Sequence, residues 1–70
     1  MIDTRVKYRH VQCFMEVARK RSLVKAADAL AITQPAVSKT LKELEDILKV
    51  RLFERSRKGV TLTQFGEVFF

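Results

Sequence analysis

Residues 33–48, Thr33-Gln-Pro-Ala-Val-Ser-Lys-Thr-Leu-Lys-Glu-Leu-Glu-Asp-Ile-Leu48, carry the clearest helix signal in the chain. Thr33 is suited to an N-cap, because its hydroxyl can take up an orphan backbone N–H, and Pro35 fits the first helical turn, where a missing N–H costs nothing. Behind this start, Val37, Leu41, Leu44 and Leu48 recur at spacings of four, three and four. On a helix of 3.6 residues per turn they make one narrow apolar stripe, which must face a core. The opposite side carries Pro35, Ser38, Lys39, Lys42 and Asp46, with Gln34 and Glu45 at its edges. The first two turns are therefore basic or hydrogen-bonding and the last two acidic, so only the N-terminal half is suited to approach an anion.

Upstream, only Ala31 and Ile32 separate this helix from an apolar face made by Leu23, Ala26, Ala27 and Leu30, which Ser22 precedes as an N-cap. So short a connection forces two helices to cross steeply, the helix-turn-helix arrangement. Ala26 and Ala27 are small enough to permit close approach. Before them, a first amphipathic helix is expected over about residues 6–20, with Val11, Phe14, Met15 and Ala18 on its buried face. His10 is read as a surface or DNA-proximal histidine, and Cys13, inside the apolar pattern, as a packing residue.

Downstream, residues 51–54 and 60–62 predict two short strands around a turn at Ser56 to Gly59, with Gly59 available for a positive φ. The turn region holds Arg55, Arg57 and Lys58, which makes the hairpin a basic wing placed for phosphate or minor-groove contact. Alternation along a strand puts Leu52 and Phe53 on opposite faces, one in the core and one over a neighbouring element. Thr63 is an N-cap for a final helix beginning Gln64-Phe65-Gly66-Glu67. Phe65, Val68, Phe69 and Phe70 exceed what so small a domain can bury, and an exposed apolar helix face marks an association surface. Dimerisation through these residues, or a longer continuation of the helix, is expected.

Seventy residues suffice for one small domain without a deep cavity. The formal charge of +6 and pI near 10 are those of a domain that meets polyanions. A single Cys13 cannot form an internal disulfide, and charged residues interrupt the N-terminal apolar positions, so a cytoplasmic protein without membrane span is expected. With one His, one Cys and no ligand-like spacing, neither an enzyme nor a metal or cofactor site is expected.

In ordered detail the chain resembles the N-terminal winged helix-turn-helix domain of LysR-type bacterial transcriptional regulators. The resemblance runs through Phe14, Val17, Ala18, Ser22, Ala26, Ala27 and Leu30. It continues through Thr33 to Lys39, Leu44, Glu45, Leu48, Leu52, Phe53 and Arg55, and ends at Leu62, Thr63 and Gly66. The stretches Arg9 to Gln12 and Ile32 to Glu45 lean toward regulators of protocatechuate or other aromatic-acid catabolism.

The resemblance implies a mainly α fold with a small β-hairpin: a three-helix core, a two-stranded wing and a linker helix. It divides the chain into a DNA-binding domain over 1–62, with the helix-turn-helix at about 23–42 and the wing at about 51–62, and the start of a dimerising linker helix over 63–70. An effector-binding domain, through which a small-molecule inducer would act, lies outside these residues. Thr33, Gln34, Pro35, Ala36, Ser38, Lys39 and Lys42 are implied in or beside the major groove, and Arg55, Arg57 and Lys58 on backbone or minor groove of double-stranded operator DNA. A homodimer would then read an interrupted inverted repeat. Two departures stand out. Lys49 occupies the usual Gly after the recognition helix, so a left-handed cap there is strained by about 1 to 2 kcal/mol or the helix ends differently. Lys39 replaces a frequent Arg and lacks its bidentate fork. A protein-interaction winged helix, with the basic face meeting an acidic partner, is the alternative that competition by plain duplex DNA would separate.

Overall fold

A computed structural model of the chain describes residues 5–57 and 59–70. Three helices, α1 (Tyr8–Lys20), α2 (Leu23–Leu30) and α3 (Gln34–Leu48), precede a hairpin of β1 (Phe53–Ser56) and β2 (Gly59–Leu62) and a last helix α4 (Gln64–Phe69). The strands are antiparallel, with Phe53 opposite Leu62 and Ser56 opposite Gly59. Three of the helix starts follow from local chemistry. The hydroxyls of Ser22, Thr33 and Thr63 accept the backbone N–H groups of Lys25, Ala36 and Gly66.

The core lies where α1, α2 and α3 meet the base of the hairpin. Val17, Ala26, Val37 and Leu52 are wholly buried there, and Phe14 lies against Phe53 with ring centroids 5.5 Å apart. On α3 the expected stripe is the buried one at Val37, Leu41 and Leu44, with Leu48 packed at its edge.

On α1 the expected face needs correction. The buried residues are His10, Cys13, Phe14 and Val17, whereas Val11 is exposed and Met15 and Ala18 are half-buried. The two stripes are one residue out of phase and share Phe14. A polar His10 at the head of the true stripe disguised it. Burial is tolerated because both ring nitrogens are occupied. Nδ1 accepts the Lys7 backbone N–H at 2.8 Å, which leaves the proton on Nε2 to donate to Glu43 Oε1 at 3.2 Å. His10 is thus a tie between α1 and α3, not a surface histidine.

Leu52 and Phe53 also depart from expectation, since both are buried. Leu52 precedes β1, so strand alternation does not govern it. Its N–H donates to Glu45 Oε2 at 2.7 Å, and the Phe53 N–H to the same oxygen at 3.3 Å. A carboxylate on α3 therefore holds the entry to the hairpin. At the exit, Thr63 donates its hydroxyl to the Arg51 carbonyl and its N–H to the Leu52 carbonyl. Gly66 then lets α4 lie on this crossing: a Cβ there would fall 2.3 Å from the Leu52 carbonyl oxygen.

Arg21, Ala31 and Lys49, which follow α1, α2 and α3, are non-glycine residues in the left-handed region, at φ 54°, 57° and 59°. Lys49 thus takes the strained ending, and its N–H bonds the Glu45 carbonyl. Lys49→Gly removes the steric cost while freeing the unfolded chain, so a net gain of about 0.5 to 1 kcal/mol is expected. A urea unfolding curve with its midpoint raised and its slope unchanged would show it.

Candidate nucleic-acid interface

The face opposite the α3 stripe carries the residues singled out in the sequence. Gln34 and Pro35 open α3 and are exposed, as are Lys39 and Lys42 farther along, while Ala36 and Ser38 are half-buried. Thr33 has a prior commitment: its Oγ1 accepts the Ala36 N–H at 3.3 Å, so the hydroxyl builds the helix start and keeps its O–H proton and one lone pair for other partners. Gln34, one residue on, has no such duty, and its amide can offer donor and acceptor together.

The hairpin stands beside these turns. Phe53 and Arg55 share the strand face that looks inward, and Arg55 reaches over to α3, with Nη2 3.4 Å from Ser38 Oγ. Arg55 therefore works next to α3 and not at the hairpin tip. Arg57 is exposed at the turn, and Lys58 lies outside the described residues. Between α3 and the hairpin runs an open groove of about 1070 Å³, whose walls include Ser38, Lys39 and Lys42 on one side and Arg51 and Arg55 on the other.

Glu45 and Asp46 line the same groove toward the end of α3. Glu45 is half-occupied with the hairpin N–H groups, but both carboxylates still repel a phosphate chain. Away from these two acids, the start of α3 is the part of the groove better suited to an anion. Ion pairs among the described residues include Arg9 with Glu43 and Arg19 with Glu16. None involves Lys39, Lys42, Arg55 or Arg57, whose charge is available to a ligand.

Burial pushes the Cys13 thiol up, more than a hydrogen bond from Thr40 and the nearby Arg9 charge pull it down, so the thiol is a packing group. Among the described residues no cluster of His, Cys, Asp and Glu could hold a metal ion, and no helix is long and apolar enough to cross a membrane.

Phe65, Val68 and Phe69 on α4, and Phe70 just after it, are all substantially exposed, Val68 most of all at 80%. Phe70 has a second contact: its ring meets Phe14 edge-on at a centroid distance of 6.3 Å. The end of the chain thus touches the core through Phe70 while Phe65, Val68 and Phe69 remain open.

Sequence reasoning missed two residues that shape this surface. Glu45 read only as an edge residue in the acidic half of the helix, because nothing in its spacing reveals the N–H groups seven and eight residues on. His10 read as exposed because its partner Glu43 is distant in sequence.

Comparison with known proteins agrees with this geometry. Residues 8–67 match the family described as bacterial regulatory helix-turn-helix protein, lysR family. The chain is 52% identical over 69 residues to the HTH-type transcriptional regulator PcaQ of Agrobacterium fabrum, covering 99% of this chain and 22% of that protein. It is 46% identical over 69 residues to the uncharacterized HTH-type transcriptional regulator YdcI of Escherichia coli, again 99% and 22%. It thus spans about a fifth of these relatives' length. Among solved structures, the BenM DBD in complex with catB site 1 DNA superposes with a TM-score of 0.88 at 38% identity, covering 91% of this chain and 72% of that one. Full-length CbnR complexed with its target DNA gives a TM-score of 0.88 at 34% identity, covering 91% and 22%.

Proposed function

Because this chain belongs to the lysR family of bacterial regulatory helix-turn-helix proteins, we propose that it is the sequence-specific, double-stranded-DNA-reading part of a transcriptional regulator. The observation that carries the reading is the pairing of a hydrogen-bonding, cationic start to α3 with a basic hairpin across one open groove. The BenM and CbnR structures, solved with DNA, support it by their likeness to this fold.

In this reading α3 enters the major groove with its first two turns leading. Gln34 presents its amide to an adenine, Pro35 and Ala36 meet a thymine methyl, and Ser38, Lys39 and Lys42 donate to base acceptors or phosphates. Arg55 supports Ser38 from the side, and Arg57 with Lys58 takes backbone or minor-groove contacts. Thr33 chiefly sets where the helix begins.

The domain divides as its chemistry does: residues 1–62 read DNA and α4 begins a dimerising linker through Phe65, Val68, Phe69 and Phe70. Two copies related by a two-fold axis then read two half-sites of an interrupted inverted repeat. The regulator is cytoplasmic and performs no catalysis of its own. Responsiveness to a small molecule belongs to the rest of a longer protein, with genes of protocatechuate or related aromatic-acid catabolism as the controlled class.

Binding measured over a salt series on a cognate and a random duplex tests this. Arg57→Ala is expected to weaken both in equal proportion and to reduce the slope of log K on log salt by about one unit. A loss confined to the cognate duplex would show that Arg57 reads bases and does not hold backbone.

A further inference from the structure

The helices α3 and α4 are joined through one residue, Leu52, whose side chain is wholly buried. Its N–H donates to Glu45 Oε2 on α3 at 2.7 Å, and its carbonyl accepts the N–H of Thr63, the cap of α4, at 3.0 Å. Each helix thus holds one backbone group of Leu52. The Thr63 hydroxyl adds a neighbouring bond, donating to the Arg51 carbonyl while it accepts the Gly66 N–H at 3.1 Å. Gly66 is buried and leaves no slack, since a Cβ there would also fall 2.8 Å from the Leu62 side chain. Beyond the last turn of α4, the Phe70 ring rests edge-on against Phe14 of α1. The helix is therefore held at its start, at Gly66 and at its end, and its direction relative to α3 is set by packing and not by a flexible joint.

The open side of α4, with Phe65, Val68 and Phe69, is where the function proposed above pairs two copies. In such a pair α4 places the two-fold axis, and the angle from α4 to α3 decides where the two reading helices stand. One base pair added between half-sites moves them apart by about 3.4 Å and turns one against the other by roughly 35°. A joint that does not yield turns that mismatch into lost contacts at one half-site.

We propose that Thr63 and Gly66 are positioning residues that fix the half-site spacing a pair of copies accepts, acting through Leu52 and Glu45 on α3. The proposal rests on the paired, DNA-reading function given above and adds to it a determinant that touches no DNA. Thr63 holds the angle of α4 through its bonds to Arg51 and Leu52. Gly66 sets how closely α4 lies on the Leu52 carbonyl.

The test measures binding to a duplex with one half-site and to inverted repeats whose spacer is the selected length, one base pair shorter or one longer. Engaging both half-sites is expected to raise the parent's affinity about 100-fold at the selected spacing, a gain lost on the other two repeats. Thr63→Asp keeps an acceptor for the Gly66 N–H but has no proton for the Arg51 carbonyl. It is expected to bring the three spacers within about threefold of one another, and its added charge is common to all three. The uncharged Thr63→Val should flatten the preference likewise, whereas Thr63→Ser retains both bonds and should behave as the parent. Gly66→Ala pushes α4 off the Leu52 carbonyl and should move the preferred spacing instead of broadening it. A parent-like spacer preference in Thr63→Asp and Thr63→Val, with or without an overall loss of affinity, overturns the proposal. A parent that binds the repeat no better than the half-site would remove the two-fold pairing and the spacing role with it, and a parent that binds no duplex would remove the DNA-reading function itself.

Discussion

Gln34→Ala is expected to weaken binding to the cognate duplex by about 1 to 3 kcal/mol, roughly 5- to 150-fold, and to leave binding to random duplex nearly unchanged. Gln34 is the first residue of α3 and is exposed, and the N-terminal residues of a recognition helix are those that reach base edges. A glutamine amide matches the N6 donor and N7 acceptor of adenine in the major groove, a match available only at a base. Phosphate contacts made elsewhere survive its removal, so the nonspecific component should persist. Nor should the fold suffer: the cap of α3 belongs to Thr33, whose bond to the Ala36 N–H does not involve Gln34. Equal losses on cognate and random duplexes would mean that Gln34 touches backbone, and a lowered unfolding midpoint would mean that it is structural.

Glu45→Ala carries the largest expected cost to the fold itself, about 2 to 4 kcal/mol in a denaturant titration. One carboxylate oxygen receives the N–H groups of Leu52 and Phe53, residues that are both buried. Hydrogen bonds to a charged acceptor contribute about 1.5 to 3 kcal/mol, and the two N–H groups would be stranded at the foot of the hairpin. A domain of this size is stable by only some 3 to 10 kcal/mol, so the loss would be a large share of the whole. Glu45→Gln retains an acceptor and should cost roughly half as much. Since the same bonds set the direction in which the hairpin leaves α3, Glu45→Ala should also weaken duplex binding although Glu45 lies on the acidic part of the groove. A variant as stable as the parent would mean that these N–H groups are satisfied otherwise.

The helices were legible in the sequence because their signals are local. Thr33, Pro35 and the Val37, Leu41, Leu44 stripe specify α3 without reference to anything beyond it, and Ser22 and Thr63 mark α2 and α4 in the same way. The errors all sit where a distant residue decides. His10 is buried because Glu43 and the Lys7 N–H complete its ring, and this rotated the true face of α1 away from Val11. Leu52 enters the core together with Phe53 because Glu45 grips both N–H groups before the strand begins. Of the site, the exposed start of α3 and Arg57 are where periodicity and turn chemistry place them. That Arg55 leans on Ser38, and that Arg21 abuts Gly59, depends on how the hairpin docks, which no spacing reveals.

An unbiased selection of duplexes from a random pool, using the chain with α4 present and sequencing the retained fraction, would show whether the domain reads sequence as a two-fold pair. The expected result is an enriched interrupted inverted repeat, its half-sites spaced by whole helical turns as two-fold-related copies of α3 require. Salt-sensitive retention with no enriched sequence would contradict a sequence reader and leave only a backbone binder.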